Sequence, residues 1–283
     1  MINLKKYLLI VISVLLIITS IYMLWQYYAL SPWTRDGRVR AEISEISSEV
    51  SGKIDNLYIV DNQEVKKGDI LFSIEKIDYE IKLKQAQLEL NDLMVQHNFV
   101  QKQYARRSQL SKQAISKEEY EDSKAKLDSI TKKIDLAKVK IEKAQLDLSR
   151  TKITSPVNGY ITNFSLRVGN YINAGTPLFA IIDKDSYYVI AYLEETKMKN
   201  VAVNKPAIIK LYSNDQSLEG KVESIGRAIV DKNATTGNQL LQNVEPTYPW
   251  VRLAQRVPIK ISIDNYDSHI LIPGTTCTVI IEN

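Results

Sequence analysis

Three features of the 283-residue chain predict a mainly β protein with an antiparallel coiled-coil hairpin inserted into it, a small β-barrel after it and a transmembrane helix before it. The first is an internal repeat. "ISSEVSGKIDNLYIVDNQEVKKGDILFSI" and "ITSPVNGYITNFSLRVGNYINAGTPLFAI" align without a gap, placing Gly159 opposite Gly52 and Gly175 opposite Gly68 at a constant offset of 107. Repeats are sought first because they decide the fold, and roughly thirty residues are too few to bury a core alone. The copies are therefore expected to pack on each other. The second feature is a pair of heptad runs between the copies. The third is an uncharged stretch from Tyr7 to Thr34.

That stretch comes first along the chain. Residues 1–6 read as a cytoplasmic tail with Lys5 and Lys6, and 7–28 as a membrane anchor, since about 20 apolar residues cross a bilayer. Trp25, Tyr27 and Tyr28 stand where an interfacial aromatic belt belongs. The rival reading is a cleaved signal peptide, whose apolar core runs about 7–15 residues; "ALS" before Pro32 would be its cleavage site. Arg35, Arg38 and Arg40 blur the charge rule, so orientation rests on the short tail staying inside. Residues 29–45 form a linker and a first barrel-associated strand.

Residues 46–76 are the first half of the split domain and 152–183 the second, both strand-rich with glycine turns. Asn158-Gly159 is a hairpin signal. Gly52, Gly68, Gly159 and Gly175 are expected to serve equivalent turns, so that replacing Gly52 or Gly159 should cost alike. Two separate β-hairpins joined by a coil are the alternative. Between the halves, residues 77–151 form the hairpin. Tyr79, Leu83, Ala86, Leu90, Leu93, His97, Val100 and Tyr104 follow 4,3 spacing, as do Leu127, Ile130, Ile134, Ala137, Ile141, Ala144, Leu148 and Thr151. This 3.5-residue period is a coiled-coil seam. Ser116 with Glu119 is a capping box that starts the second arm, so the chain turns near Gln113 to Ile115. Ser155-Pro156 is expected to stop that arm.

From 184 to 283 the pattern is strand throughout. "VPIKISID" puts Val257, Ile259, Ile261 and Ile263 on one face, and short strands at this spacing suggest a barrel. Residues 231–248 are polar and read as a mobile loop. Cys277, the single cysteine, alternates with Val279 and Ile281 and so reads as a buried strand residue.

Chemistry is sparse. A net charge of +4 without a basic patch interleaved with aromatics gives no sign of nucleic acid. His97 falls on the seam and His269 in a polar turn, neither at metal-ligand spacing. No nucleophile elbow, P-loop or dinucleotide fingerprint occurs. The expectation is no enzyme, no cofactor and no metal site.

The split repeat resembles a lipoyl or biotinyl domain, and "EVKKGDILFSIE" resembles the stretch leading to its modified lysine. Here the coiled coil replaces that hairpin, no Asp-Lys-Ala or Met-Lys-Met signature survives, and Lys76 reads as a solvated residue where the helix begins. The whole layout resembles the HlyD-type membrane fusion proteins. "SPWTRDGRVRA", "YYVIAYLEETKM" and "WVRLAQRVPIKISIDN" resemble stretches of the p-hydroxybenzoic-acid (aromatic carboxylic acid) efflux adaptors. The resemblance implies an inner-membrane, single-pass protein with its bulk in the periplasm. It would join an aromatic-acid exporter to a TolC-type outer-membrane channel and self-associate into a ring, expected to be a hexamer. It further implies a channel-docking tip with an Arg, a Leu four residues on and a Ser seven beyond. Arg106 and Leu110 fit, while Ser116 comes one residue early. Two other readings stay open: an accessory adaptor of ABC-type peptide or protein export, and a carrier subunit with a covalent cofactor.

Overall fold

The computed structural model describes residues 2–25, 31–109, 116–213, 216–229, 235–236, 242–243 and 254–282. It contains two compact units, one of Met1–Glu42 with Asp183–Asn283 and one of Ile43–Ile182.

In chain order the elements begin with α1 (Ile2–Trp25), β1 (Trp33–Arg40), β2 (Ile43–Ser47), β3 (Gly52–Leu57), β4 (Glu64–Val65) and β5 (Ile70–Ile74). The long helices α2 (Ile77–Gln109) and α3 (Lys117–Ser149) follow. Then come β6 (Lys152–Thr154), β7 (Gly159–Thr162), β8 (Tyr171–Ile172), β9 (Pro177–Asp183) and β10 (Tyr188–Glu194). The chain ends with β11 (Pro206–Leu211), β12 (Ser217–Ile225), β13 (Thr235–Thr236), β14 (Gln242–Asn243), β15 (Arg256–Ile263) and β16 (Thr276–Ile281).

The second unit explains the repeat. Its two four-stranded sheets run β2-β9-β7-β4 and β6-β5-β3-β8. Each sheet takes two strands from each copy, and the 107-residue offset carries β4 onto β8 and one sheet order onto the other. The pairing obeys the same exchange: Gly52 lies opposite Ile172, and Gly159 opposite Val65. So do the turns. Gly68 N–H donates to the Ser155 carbonyl and Gly175 N–H to the Ser48 carbonyl, both at 2.8 Å. Ser48 and Ser155 hydroxyls each donate to the carbonyl two residues on, at 2.6 Å. Neither copy has a core by itself; Ile46, Ile54, Leu71, Phe72 and Ile74 of the first pack with Ile153, Ile161, Phe179 and Ile181 of the second. Burying these side chains contributes roughly 1.5–3 kcal/mol each.

The barrel is closed in the order β1-β10-β15-β12-β11-β16, every pairing antiparallel. Its interior follows the period-2 rule, with Ile259, Ile261 and Ile263 buried and Val257 half-buried. Cys277, Val279 and Ile281 line the same core from β16. Of the expected 231–248 loop, β13 and β14 form a short antiparallel pair; the rest lies outside the described residues.

Three expectations change. Asn158-Gly159 does not join a hairpin, because β6 and β7 belong to different sheets; the Asn158 side chain instead accepts from Lys67 N–H at 2.9 Å. α3 ends at Ser149, ahead of Ser155-Pro156; what stops it is β6 joining β5. The first unit boundary falls after Glu42, so β2 is a sandwich strand and the barrel-associated segment is shorter than residues 29–45.

α1 is helical over 24 residues, and its described side chains, Tyr7 and Ile10–Met23, are exposed on every face. Among the described residues no helix is long and apolar enough to cross a membrane. Tyr27, Tyr28 and the "ALS" site lie outside the described residues apart from Ser31.

Candidate functional site: the hairpin and its far end

The hairpin is built as the spacing dictates. Every expected seam residue of α2, from Tyr79 to Tyr104, is half-buried amid exposed neighbours. On α3, Ile130 and Ala137 are buried and Leu127, Ile134, Ile141, Ala144 and Leu148 half-buried. α2 has no fully buried residue, whereas α3 buries Ser123, Ile130 and Ala137 against it. His97 occupies a half-buried seam position, as the spacing implied.

Both arms are pinned at the base. The Tyr79 hydroxyl donates to the Ser51 carbonyl at 2.6 Å, and Ile74 N–H to the Thr151 carbonyl at 2.8 Å. Burial raises the Tyr79 pKa, with Asp147 nearby adding to it. Arg150 pairs with Glu49 at 2.5 Å and with Asp147 at 3.7 Å. Lys76, just before α2, pairs with exposed Glu80 at 2.8 Å. The hydrogen bond to Glu80 raises its pKa, the behaviour of a solvated surface lysine.

At the far end, Arg106 lies in the last turn of α2, exposed, its Nε donating to the Lys102 carbonyl at 3.4 Å. Ser116 is the N-cap of α3 and its hydroxyl accepts from Glu119 N–H at 3.2 Å. Leu110 and the turn at Gln113 to Ile115 lie outside the described residues. One feature of this end escaped the sequence reading. Tyr104 and Tyr120 join the arms, their hydroxyls 2.9 Å apart and their rings 5.7 Å apart. The hydrogen bond to Tyr120 raises the Tyr104 pKa. Continuing the 4,3 spacing back from Leu127 through Ser123 would have reached Tyr120.

The barrel carries a second polar cluster. Arg35 and Lys197 stack on Trp33 at 5.7 and 4.9 Å. Asp36 meets Arg256 at 2.5 Å and Arg38 at 3.8 Å. These charges answer one another and place no acid–base pair or nucleophile together. Among the described residues no group of three or more His, Cys, Asp or Glu side chains stands ready for a metal ion. His269 sits in a turn, its N–H donating to Asp267 at 3.0 Å.

The chain thus holds a split sandwich carrying a coiled-coil arm, and a closed barrel. Family comparison gives it a place. Residues 42–184 match the RND MFP, barrel-sandwich hybrid domain, and residues 186–282 the AAEA-like beta-barrel domain. The chain is 40% identical over 284 residues to the uncharacterized protein YdhJ of Escherichia coli K12, covering 99% of this chain and 98% of YdhJ. Its fold is similar to that of the membrane fusion protein Spr0693 from Streptococcus pneumoniae R6 (TM-score 0.66, 14% identity, 89% of this chain and 99% of that one). It is also similar to MacA from Actinobacillus actinomycetemcomitans (TM-score 0.66, 21% identity, 89% and 79%). The chain belongs to the RND-type membrane fusion protein family, the periplasmic adaptors of efflux systems. Such adaptors work with inner-membrane transporters and outer-membrane channels, self-associate, and are not enzymes.

Proposed function

We propose that this chain is the adaptor of a tripartite efflux system, joining an inner-membrane exporter of the aromatic-acid type to a TolC-type outer-membrane channel. The observation that carries the reading is the hairpin. Two 33-residue helices, about 50 Å long at 1.5 Å per residue, share one seam and are pinned at the base. A rigid arm of that length is a device for reaching across a gap. Arg106, Leu110 and Ser116 form the docking tip, and Ser116 serves at once as helix cap and as part of that tip. α1 anchors the chain in the inner membrane as a single pass: its described side chains from Ile10 to Met23 are mostly apolar and all exposed, and Lys5 and Lys6 lie in its first turns, where the charges of the inner side belong. The body then lies in the periplasm.

The exporter type rests on the three long stretches that resemble aromatic-acid efflux adaptors. A strain lacking this chain should become sensitive to aromatic carboxylic acids and recover with the intact gene. Co-purification from membranes should bring down a transporter of that type. An ABC transporter in its place, with unchanged acid tolerance, would overturn the exporter assignment and leave the adaptor role to be assigned to peptide or protein export.

A further inference from the structure

The barrel has two ends, and the described residues at those ends differ in charge. One end holds the start of β1, the segment from Glu195 to Lys205 that crosses from β10 to β11, the residues after β12 and the residue after β16. Its loops and strand ends carry Lys197, Lys199, Lys205, Arg227 and Arg256 against Glu194, Glu195 and Glu282. Arg35 and Asp36, near the start of β1, add one charge of each sign. The opposite end holds the links to β2 and β9, the β11–β12 turn and the β15–β16 loop. There Glu42, Asp183, Asp185, Asp264 and Asp267 stand against Lys184 and Arg40. One end is cationic and the other anionic.

The positive charges are not cancelled locally. Lys199 and Arg227 are exposed and form no ion pair among the described residues. Lys197 and Lys205 donate to carbonyls, of Trp33 at 3.4 Å and of Asn200 at 3.0 Å. The same end presents apolar side chains: Val203 is 47% and Ile229 44% exposed. The Val203 turn is held in place, since Asn204 N–H donates to the Val222 carbonyl at 2.8 Å and Val222 N–H to the Lys205 carbonyl at 2.9 Å. Trp33, half-buried under Arg35 and Lys197, opens the same end. Exposed apolar residues alone do not distinguish the ends, because Tyr212 and Ile272 are 54% and 60% exposed at the other. The sign of the charge does.

We infer that the cationic barrel end rests on the phospholipid headgroups of the membrane that α1 enters, with its Lys and Arg side chains on phosphates and Val203, Ile229 and Trp33 at the interface. The contact presupposes the α1 anchor of the proposed function and adds a second, electrostatic hold to it. Chain length selects this occupant. α1 ends at Trp25 and β1 begins at Trp33, and the chain between them spans at most about 29 Å at ~3.6 Å per residue. The anchor therefore tethers the cationic end, while the anionic end lies a strand length beyond. Surface charge is felt only within about 8–10 Å at physiological salt, so the sign of the tethered end is the one that matters. Basic side chains are drawn to anionic headgroups and Trp to the interface.

The test uses full-length protein in vesicles of phosphatidylcholine alone or with added phosphatidylglycerol. Single cysteines carry a fluorophore, and a spin label on the lipid headgroups quenches whichever fluorophore lies at the surface. The native thiol adds little label, since Cys277 is buried and its pKa is pushed up to about 12. Val203→Cys and Ile229→Cys report from the cationic end, and Ile272→Cys from the anionic end. With phosphatidylglycerol present, quenching at the first two should exceed that at Ile272→Cys several-fold. It should fall toward the Ile272→Cys level in phosphatidylcholine alone, or at 1 M salt, where charge is screened beyond about 3 Å. Lys199→Glu with Arg227→Glu should lower it likewise while circular dichroism stays unchanged. Quenching at Val203→Cys that ignores lipid charge would overturn the inference. So would contact that appears only in native membranes, which would give this end to a membrane protein instead. Chains that float with neither vesicle overturn the anchor and the headgroup contact together; chains that float but show equal quenching at both ends overturn the headgroup contact alone.

Discussion

Gly159 has no room for a side chain: a Cβ there would fall on the Ile182 carbonyl oxygen. Its repeat partner Gly52 is crowded differently, with the nearest atom the Ile74 Cγ2 at 2.5 Å. Backbone held in a paired strand cannot yield, whereas a side chain can rotate or shift. The equal cost expected from the repeat is therefore corrected. Gly159→Val should destabilise by several kcal/mol and Gly52→Val by about 1–3, read as a clearly larger drop in melting temperature for Gly159→Val. Gly68 and Gly175 need glycine for another reason, φ of +93° and +78° in open space, so alanine there should cost ~1–2 kcal/mol through strain alone. A third equivalent turn was missed in the sequence: Asn62 and Gly169, 107 residues apart, both have positive φ. The signal was present, because Asn and Gly are the residues that tolerate this region. Cys277 offers a pH prediction. Burial raises its pKa to about 12, and only the thiolate reacts. At pH 8 the folded protein should resist thiol reagents, with labelling appearing as the protein unfolds.

At the scale of elements, the hairpin was the most legible part of the chain and the sandwich the least. A 3.5-residue period fixes which face of each arm is covered, and every seam residue named from spacing is half-buried or buried in the structure. The repeat foretold that two copies share a core, but homology between halves does not say which strands neighbour which. The interleaving depends on non-local pairs such as β3 with β8, which leave no local pattern. Asn158-Gly159 misled for the same reason, since a dipeptide preference was overridden by the sheet each flanking strand joins. Stability and docking should separate along the arm. Leu93→Asp would place a charge in the mid-seam and should melt the hairpin, seen as lost helical signal. Leu110→Asp, at the proposed tip, should abolish export while the melting temperature stays nearly unchanged. Ser116→Ala removes the cap bond and should cost about 0.5–2 kcal/mol.

At the scale of the whole molecule, the proposed function divides anchoring and reach between α1 and the hairpin. The described side chains of α1 join neither core, so a chain beginning at Ser31, which keeps all of β1, should fold, stay soluble and lose the membrane fraction. N-terminal sequencing of native protein should start at Met1 or Ile2; a start near Pro32 would replace the anchor with a cleaved leader. The far end of the hairpin is proposed to meet an outer-membrane channel, and a photo-crosslinking residue at Arg106 in intact cells tests this most directly, with the same probe at Lys84 near the base as the control. The Arg106 probe should capture an outer-membrane channel protein and the Lys84 probe should not. Equal capture from both positions, or none from Arg106 in cells that still export, would contradict it.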